Sequence, residues 1–127
     1  WLDIGAREGA QLPKLFYVNW FRKDESGKFM WPGFGENSRV LAWIAGRCAG
    51  TAEGIETAVG IVPAAGELDL TGLDISDENL ERVLAVDADA FKAQLPQVRE
   101  FLAKFGDDLP AEINAQLDAF EERLNDA

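Results

Sequence analysis

The chain has 127 residues, 47% of them apolar and 28% charged, with a formal net charge of −11. That balance excludes wholesale disorder, allows one domain with a real core, and contains no apolar run near the roughly 20 residues of a membrane helix. Histidine is absent and Cys48 is the single cysteine, which excludes from these residues a His-based nucleophile triad, a His–Cys zinc site, an HExxH helix and an internal disulfide.

The charge is unevenly spread. Residues 1–50 carry seven Lys/Arg and five Asp/Glu, whereas residues 51–127 carry five and eighteen. So acidic a chain repels nucleic acid and anionic membrane surfaces, and neither is an expected partner. An anionic ligand is expected on the first half. A lone cysteine fits a reducing compartment, so a cytoplasmic location is expected. The opening WLDIGAREGAQ has neither the basic start nor the apolar stretch of a secretory leader. A first residue of Trp rather than Met raises the expectation of a piece of something longer.

In chain order, KLFYVNWF (Lys14–Phe21) is β-branched and aromatic and predicts a buried strand. The turn KDESGK follows, and FMW (Phe29–Trp31) predicts a short return strand that Pro32 stops. From Ser38, the spacing of Val40, Leu41, Ile44, Ala45 and Cys48 predicts a helix ending at Gly50, with Asn37 or Ser38 as its N-cap. Cys48, on the apolar stripe, is expected to be a buried small hydrophobe rather than a reactive thiol. TAVGIVP (Thr57–Pro63) and ELDL (Glu67–Leu70) predict two short strands about a Pro-Ala-Ala-Gly turn. Acidic amphipathic helices follow. Leu80, Val83 and Leu84 mark a short one. Phe91, Leu95, Val98, Phe101, Leu102 and Phe105 mark a longer one, kinked or broken at Pro96. Ile113, Leu117, Phe120 and Leu124 mark the last, with Pro110 at its start. The paired acids Asp107–Asp108 and Glu121–Glu122 fall on polar faces or ends and read as solvated. There are no internal repeats, and the early strands lack partner strands.

Nine of the thirteen aromatics lie between Trp1 and Trp43. The stretch KFMWPGFGENSRVL places three of them, Phe29, Trp31 and Phe34, on a loop. Its PGFGEN leads into a helix N-terminus, which suits an anion, but it fits neither GxxxxGK[ST] nor GxGxxG. Rings on a loop can instead grip a flat base, with glycines admitting close backbone approach and an Asn offering donor and acceptor to a base edge. They can equally be a satellite core under the loop. The residues alone leave both readings open.

The run LPKLFYVNWFRKDESGKFMWPGFGENSRVLAWI, with its blocks VNWFRKD and WPGFGENSRVL, resembles the guanine-binding region of GTP-dependent phosphoenolpyruvate carboxykinases. Weaker similarity continues through GIVP, LDLTGLD and LPAEINAQL, so the chain resembles the C-terminal end of that enzyme. The resemblance implies an α/β (mixed α+β) piece of a nucleotide-binding domain, with a guanine-binding strand–loop–helix segment at 1–50 and short strands then acidic helices at 51–127. It implies that Phe21, Phe29 and Phe34 hold the guanine ring, that Phe34, Gly35, Glu36 and Asn37 line it, and that Asn37 reads its edge. It implies selection of GTP or GDP over adenine nucleotides. The implied reaction converts oxaloacetate and GTP to phosphoenolpyruvate, GDP and carbon dioxide, an early step of gluconeogenesis. No catalytic or metal-binding residue is expected in this chain. Manganese or magnesium, the phosphate loop and the oxaloacetate/phosphoenolpyruvate site would belong to an upstream part, in an enzyme expected to be monomeric when whole. Two alternatives remain: a non-catalytic module presenting residues 77–125 as an acidic helical surface, and a stand-alone guanine-nucleotide sensor.

Overall fold

A computed structural model describes residues 1–127. The helices are α1 Leu2–Gly5, α2 Asn37–Ala49, α3 Asp77–Leu84, α4 Ala88–Ala103 and α5 Ala111–Asn125. A single antiparallel pair, β1 Gly54–Thr57 and β2 Gly60–Pro63, forms the sheet, and 3₁₀ turns occupy Phe34–Glu36 and Gly106–Asp108. The class is mixed helix and strand, with helix dominant. No helix is long and apolar enough to cross a membrane.

Helix α2 forms where its apolar spacing puts it and ends in a left-handed Gly50 (φ 75°), whose missing Cβ makes that conformation easy. Its start differs from expectation. The 3₁₀ turn runs straight into the helix, Asn37 is already helical, and Ser38 Oγ donates to the Gly35 carbonyl (2.6 Å), so neither side chain caps the helix. Cys48 is exposed, not buried, because the face of α2 that carries it has no covering element within the chain. The inward residue is Trp43, which is buried, as are Trp31 and Leu68. Its indole N–H donates to the Glu53 carbonyl (2.9 Å), and its ring meets Phe16 edge-on at 6.2 Å.

The segment expected as a buried strand, Lys14–Phe21, forms no strand and ends in a turn at Trp20–Phe21. Tyr17 and Leu15 are 96% and 90% exposed. A strand exists only through a neighbour's hydrogen bonds, and the chain supplies none here. The return at Phe29 is real but minimal, an isolated antiparallel bridge between Lys23 and Phe29. Downstream, TAVGIVP does not form one strand. A turn at Ala58–Val59 splits it, with Gly54 opposite Pro63 and Thr57 opposite Gly60, and ELDL pairs with no strand. Gly54 is required by that pairing, since a Cβ there would stand 2.4 Å from Ile61 Cγ2.

Helix α3 is capped by Ser76, which accepts from the Asn79 N–H (3.2 Å). Helix α4 runs unbroken through Pro96. The proline removes one intrahelical bond, while Arg99, one turn on, holds α4 to α5 through Asp118 (2.9 Å) and Glu121 (2.5 Å). Those two hydrogen-bonded carboxylates, Glu121 first, raise the Arg99 pKa. Leu95, Leu117 and Leu124 pack with Ala58 of the hairpin turn, whose carbonyl accepts from Arg123 Nε (3.2 Å). The chain thus buries only Leu95, Leu117 and Leu124 of the α4 and α5 stripes, whereas Phe91, Val98, Phe101, Phe105 and Ile113 stay exposed.

Candidate functional site

The first part of the site is the turn between Arg22 and Met30. Asp24 builds it. One carboxylate oxygen accepts from the Ser26 N–H (2.9 Å), the Ser26 hydroxyl (2.6 Å) and the Lys28 N–H (3.0 Å), an Asx-type closure that replaces water with fixed donors. The Ser26 hydroxyl is the largest cause, and the Lys28 N–H the next, of a carboxyl held below the usual aspartate range. The closed turn allows backbone bonds from Asp24 N–H to the Lys28 carbonyl (2.9 Å) and from Met30 N–H to the Arg22 carbonyl (2.9 Å). That pairing sets Phe21 against Phe29, ring centroids 6.2 Å apart at 62°. Both rings are exposed, and Lys23 Nζ stands 4.9 Å from the Phe29 ring centre. Arg22 anchors the turn from behind, donating to the Val83 and Ala85 carbonyls (3.0 Å each) at the end of α3.

The second part is the 3₁₀ turn. Gly33 takes φ 76°, ψ −168°, a conformation that needs glycine. Phe34 follows at φ 50°, the only non-glycine residue with positive φ. Its ring is 99% exposed and pairs with no other ring. Gly35 has open space at its Cα, with nothing within 4 Å of a Cβ built there. The Glu36 carboxylate is already engaged, held by Arg39 Nε at 2.5 Å. Arg39 also donates to the Asp69 and Thr71 carbonyls, so it pins the turn to the 69–71 loop. Asp69 is held below the usual carboxylate range, chiefly by the Thr71 N–H, then by the Thr71 hydroxyl, with the Arg39 charge a smaller cause.

One hydrogen bond joins the two parts. Trp31, 5% exposed, donates its indole N–H to Asn37 Oδ1 at 3.0 Å. Of the six residues expected to form a base site, Phe21 and Phe29 meet as a ring pair, and Phe34, Gly35, Glu36 and Asn37 form one continuous turn. Glu36 differs from the rest, because its side chain serves Arg39. Sequence reading gave Lys23 and Arg39 no part in the site. For Arg39 the i,i+3 spacing from Glu36 was a usable signal.

A concavity of about 840 Å³ adjoins the site through Arg22 and Trp31; it is lined mainly by hydrophobic residues, among them Leu15, Val18, Trp20 and Ile44, and it includes none of the six. A smaller polar one of about 420 Å³ is bounded by Asp24, Glu25, Ser26 and Arg82. No group of three or more His, Cys, Asp or Glu residues stands where it could hold a metal ion.

Exposed rings on a hairpin closed by a single bridge, and a strained turn that opens a helix, belong to a mixed helix–strand domain. Residues 1–123 match the family model described as the phosphoenolpyruvate carboxykinase C-terminal P-loop domain, and the chain belongs to that family. It is 49% identical over 130 residues to "Phosphoenolpyruvate carboxykinase [GTP]" of Neocallimastix frontalis, covering 100% of this chain and 21% of that protein. It is 46% identical over 127 residues to the protein of that name from Arthrobacter sp. (strain FB24), covering 99% and 21%. Identity to the human mitochondrial protein of that name is 44% over 126 residues, covering 98% and 19%. The chain therefore spans about a fifth of the length of these curated relatives.

Proposed function

We propose that this chain is the guanine-gripping part of an enzyme that converts oxaloacetate and GTP to phosphoenolpyruvate, GDP and carbon dioxide. The observation that carries the reading is Phe34: a large ring held fully in solvent on a left-handed backbone, in a chain of this family. Such a residue has no folding rationale within the chain, whereas a base stacked on it supplies one. Phe21 and Phe29 offer a second apolar wall, Gly35 admits the base edge close to the backbone, and Asn37 contacts that edge. Glu36 contributes through its main chain, its carboxylate being held by Arg39.

The residues present do not suit a divalent metal, and no GxxxxGK[ST] loop occurs in the sequence. Manganese or magnesium, the phosphate-holding lysine and the oxaloacetate site belong in this proposal to protein outside these residues, and the chain by itself is inactive. A cytoplasmic location and a monomeric whole enzyme are part of the same proposal.

The test is steady-state kinetics of the whole enzyme carrying Phe34→Ala or Asn37→Ala. Each is expected to raise KM for GTP by about tenfold or more, the loss of one stacking or edge contact, and to leave KM for oxaloacetate nearly unchanged. Wild-type kinetics in both variants would remove these residues from the base site.

A further inference from the structure

We infer that Trp31 is a positioning residue for base selection, which locks the Asn37 amide in the one rotation that offers guanine a donor. The inference rests on the proposed role of Asn37. A side-chain amide is nearly symmetric in shape, and turning it over exchanges a hydrogen-bond acceptor for a donor. A half-exposed Asn in the first turn of a helix, with no other side-chain partner, has no reason to prefer either orientation. The indole N–H of Trp31 supplies one. It can only donate, so the Asn37 atom 3.0 Å away must be the oxygen. Trp31 is buried, so the indole cannot swing aside, and its N–H has no other partner. With Oδ1 turned to Trp31, Nδ2 is the free end of the amide and makes no hydrogen bond within the chain.

The chemistry of the two purines does the rest. Guanine presents the acceptor O6 where adenine presents the donor N6 amine. A locked Nδ2 pairs with O6 and opposes N6. An amide free to turn would serve both bases, because its oxygen could accept from adenine. In this account Asn37 touches the base, but Trp31, which need not touch it, sets which base is accepted.

Whole enzyme carrying Trp31→Phe, Asn37→Asp or Asn37→Ala is compared with wild type using GTP, ITP and ATP, reading kcat/KM for each nucleotide and KM for oxaloacetate. Trp31→Phe keeps an aromatic ring and deletes the N–H. It is expected to lower the GTP-to-ATP ratio by about tenfold or more, with ITP following GTP because both carry O6. Asn37→Asp keeps an acceptor for Trp31 but has no donor, and it is expected to lose the preference for O6 purines even with the loop intact. If Trp31→Phe weakens GTP and ATP equally, or neither, Trp31 merely fills the core and the inference is overturned. Should Trp31→Phe fail to fold, a GTP preference retained by Asn37→Asp overturns it equally. If Asn37→Ala leaves the ratio at its wild-type value, the base contact itself is wrong and the proposed reading of Asn37 falls first.

Discussion

At Phe34 two costs coincide on one residue. The left-handed backbone costs a non-glycine residue about 1–2 kcal/mol, and a fully exposed phenyl ring returns no burial energy. The two can be separated by substitution. Phe34→Gly removes ring and strain together, whereas Phe34→Ala removes the ring but keeps a Cβ at φ 50°. Amide hydrogen exchange at the start of α2 in the whole protein is expected to be slower in the glycine variant than in the alanine variant, because local opening no longer relieves strain. Guanine-nucleotide affinity should fall alike in both, by about 5- to 150-fold for a lost stack of about 1–3 kcal/mol. Equal exchange in the two variants would mean the backbone there is unstrained.

Among the elements, the Asp24 turn controls the ring pair. Its carboxyl lies below the usual range in the folded state, so its contribution is complete above the unfolded value of about 3.9 and is lost as pH falls through the depressed folded value. Carboxyl NMR titration is expected to give Asp24 a midpoint below that of an ordinary aspartate, and Ser26→Ala should raise it part of the way back, the hydroxyl being the largest cause and the backbone donors remaining. A midpoint at the ordinary value would mean the turn is not closed in solution. Asp24→Asn should preserve the turn at every pH, since an amide oxygen accepts the same donors. How much of this was legible in advance depended on the range of the interaction involved. Helices α2, α3 and α5 were readable because Val40, Ile44, Leu80, Leu117 and Leu124 repeat within a few turns of one another. Lys14–Phe21 was not, because its β-rich composition speaks only of fitness for a sheet, and the sheet partner is absent. The family was legible through VNWFRKD and WPGFGENSRVL, as a resemblance, and the residues proposed for the base site rest on those same blocks. The bond from Trp31 to Asn37 was not legible, since it exists only once the loop has closed.

For the molecule as a whole, 7 of 127 residues are buried although 47% are apolar, so most of the chain's apolar surface is uncovered by the chain itself. Leu15, Phe16 and Tyr17 lie in a segment with no strand partner and line the apolar concavity of about 840 Å³. A row of unpaired backbone donors and acceptors beside exposed rings is the surface that pairs with another strand. Relatives about five times as long offer enough additional chain to cover it, and that cover is the role proposed here for the remainder of such an enzyme. The isolated 127-residue chain is therefore expected to self-associate, its weight-average mass in sedimentation velocity rising with concentration. The double substitution Leu15→Lys, Tyr17→Lys should suppress that rise, by placing charge on the edge. In the whole enzyme the same two lysines should instead destabilise, because they would be buried without partners against the covering segment. If the isolated chain stays monomeric at all concentrations, or the lysines leave the whole enzyme's stability unchanged, the 11–19 segment is solvent-facing by design and the cover must lie elsewhere.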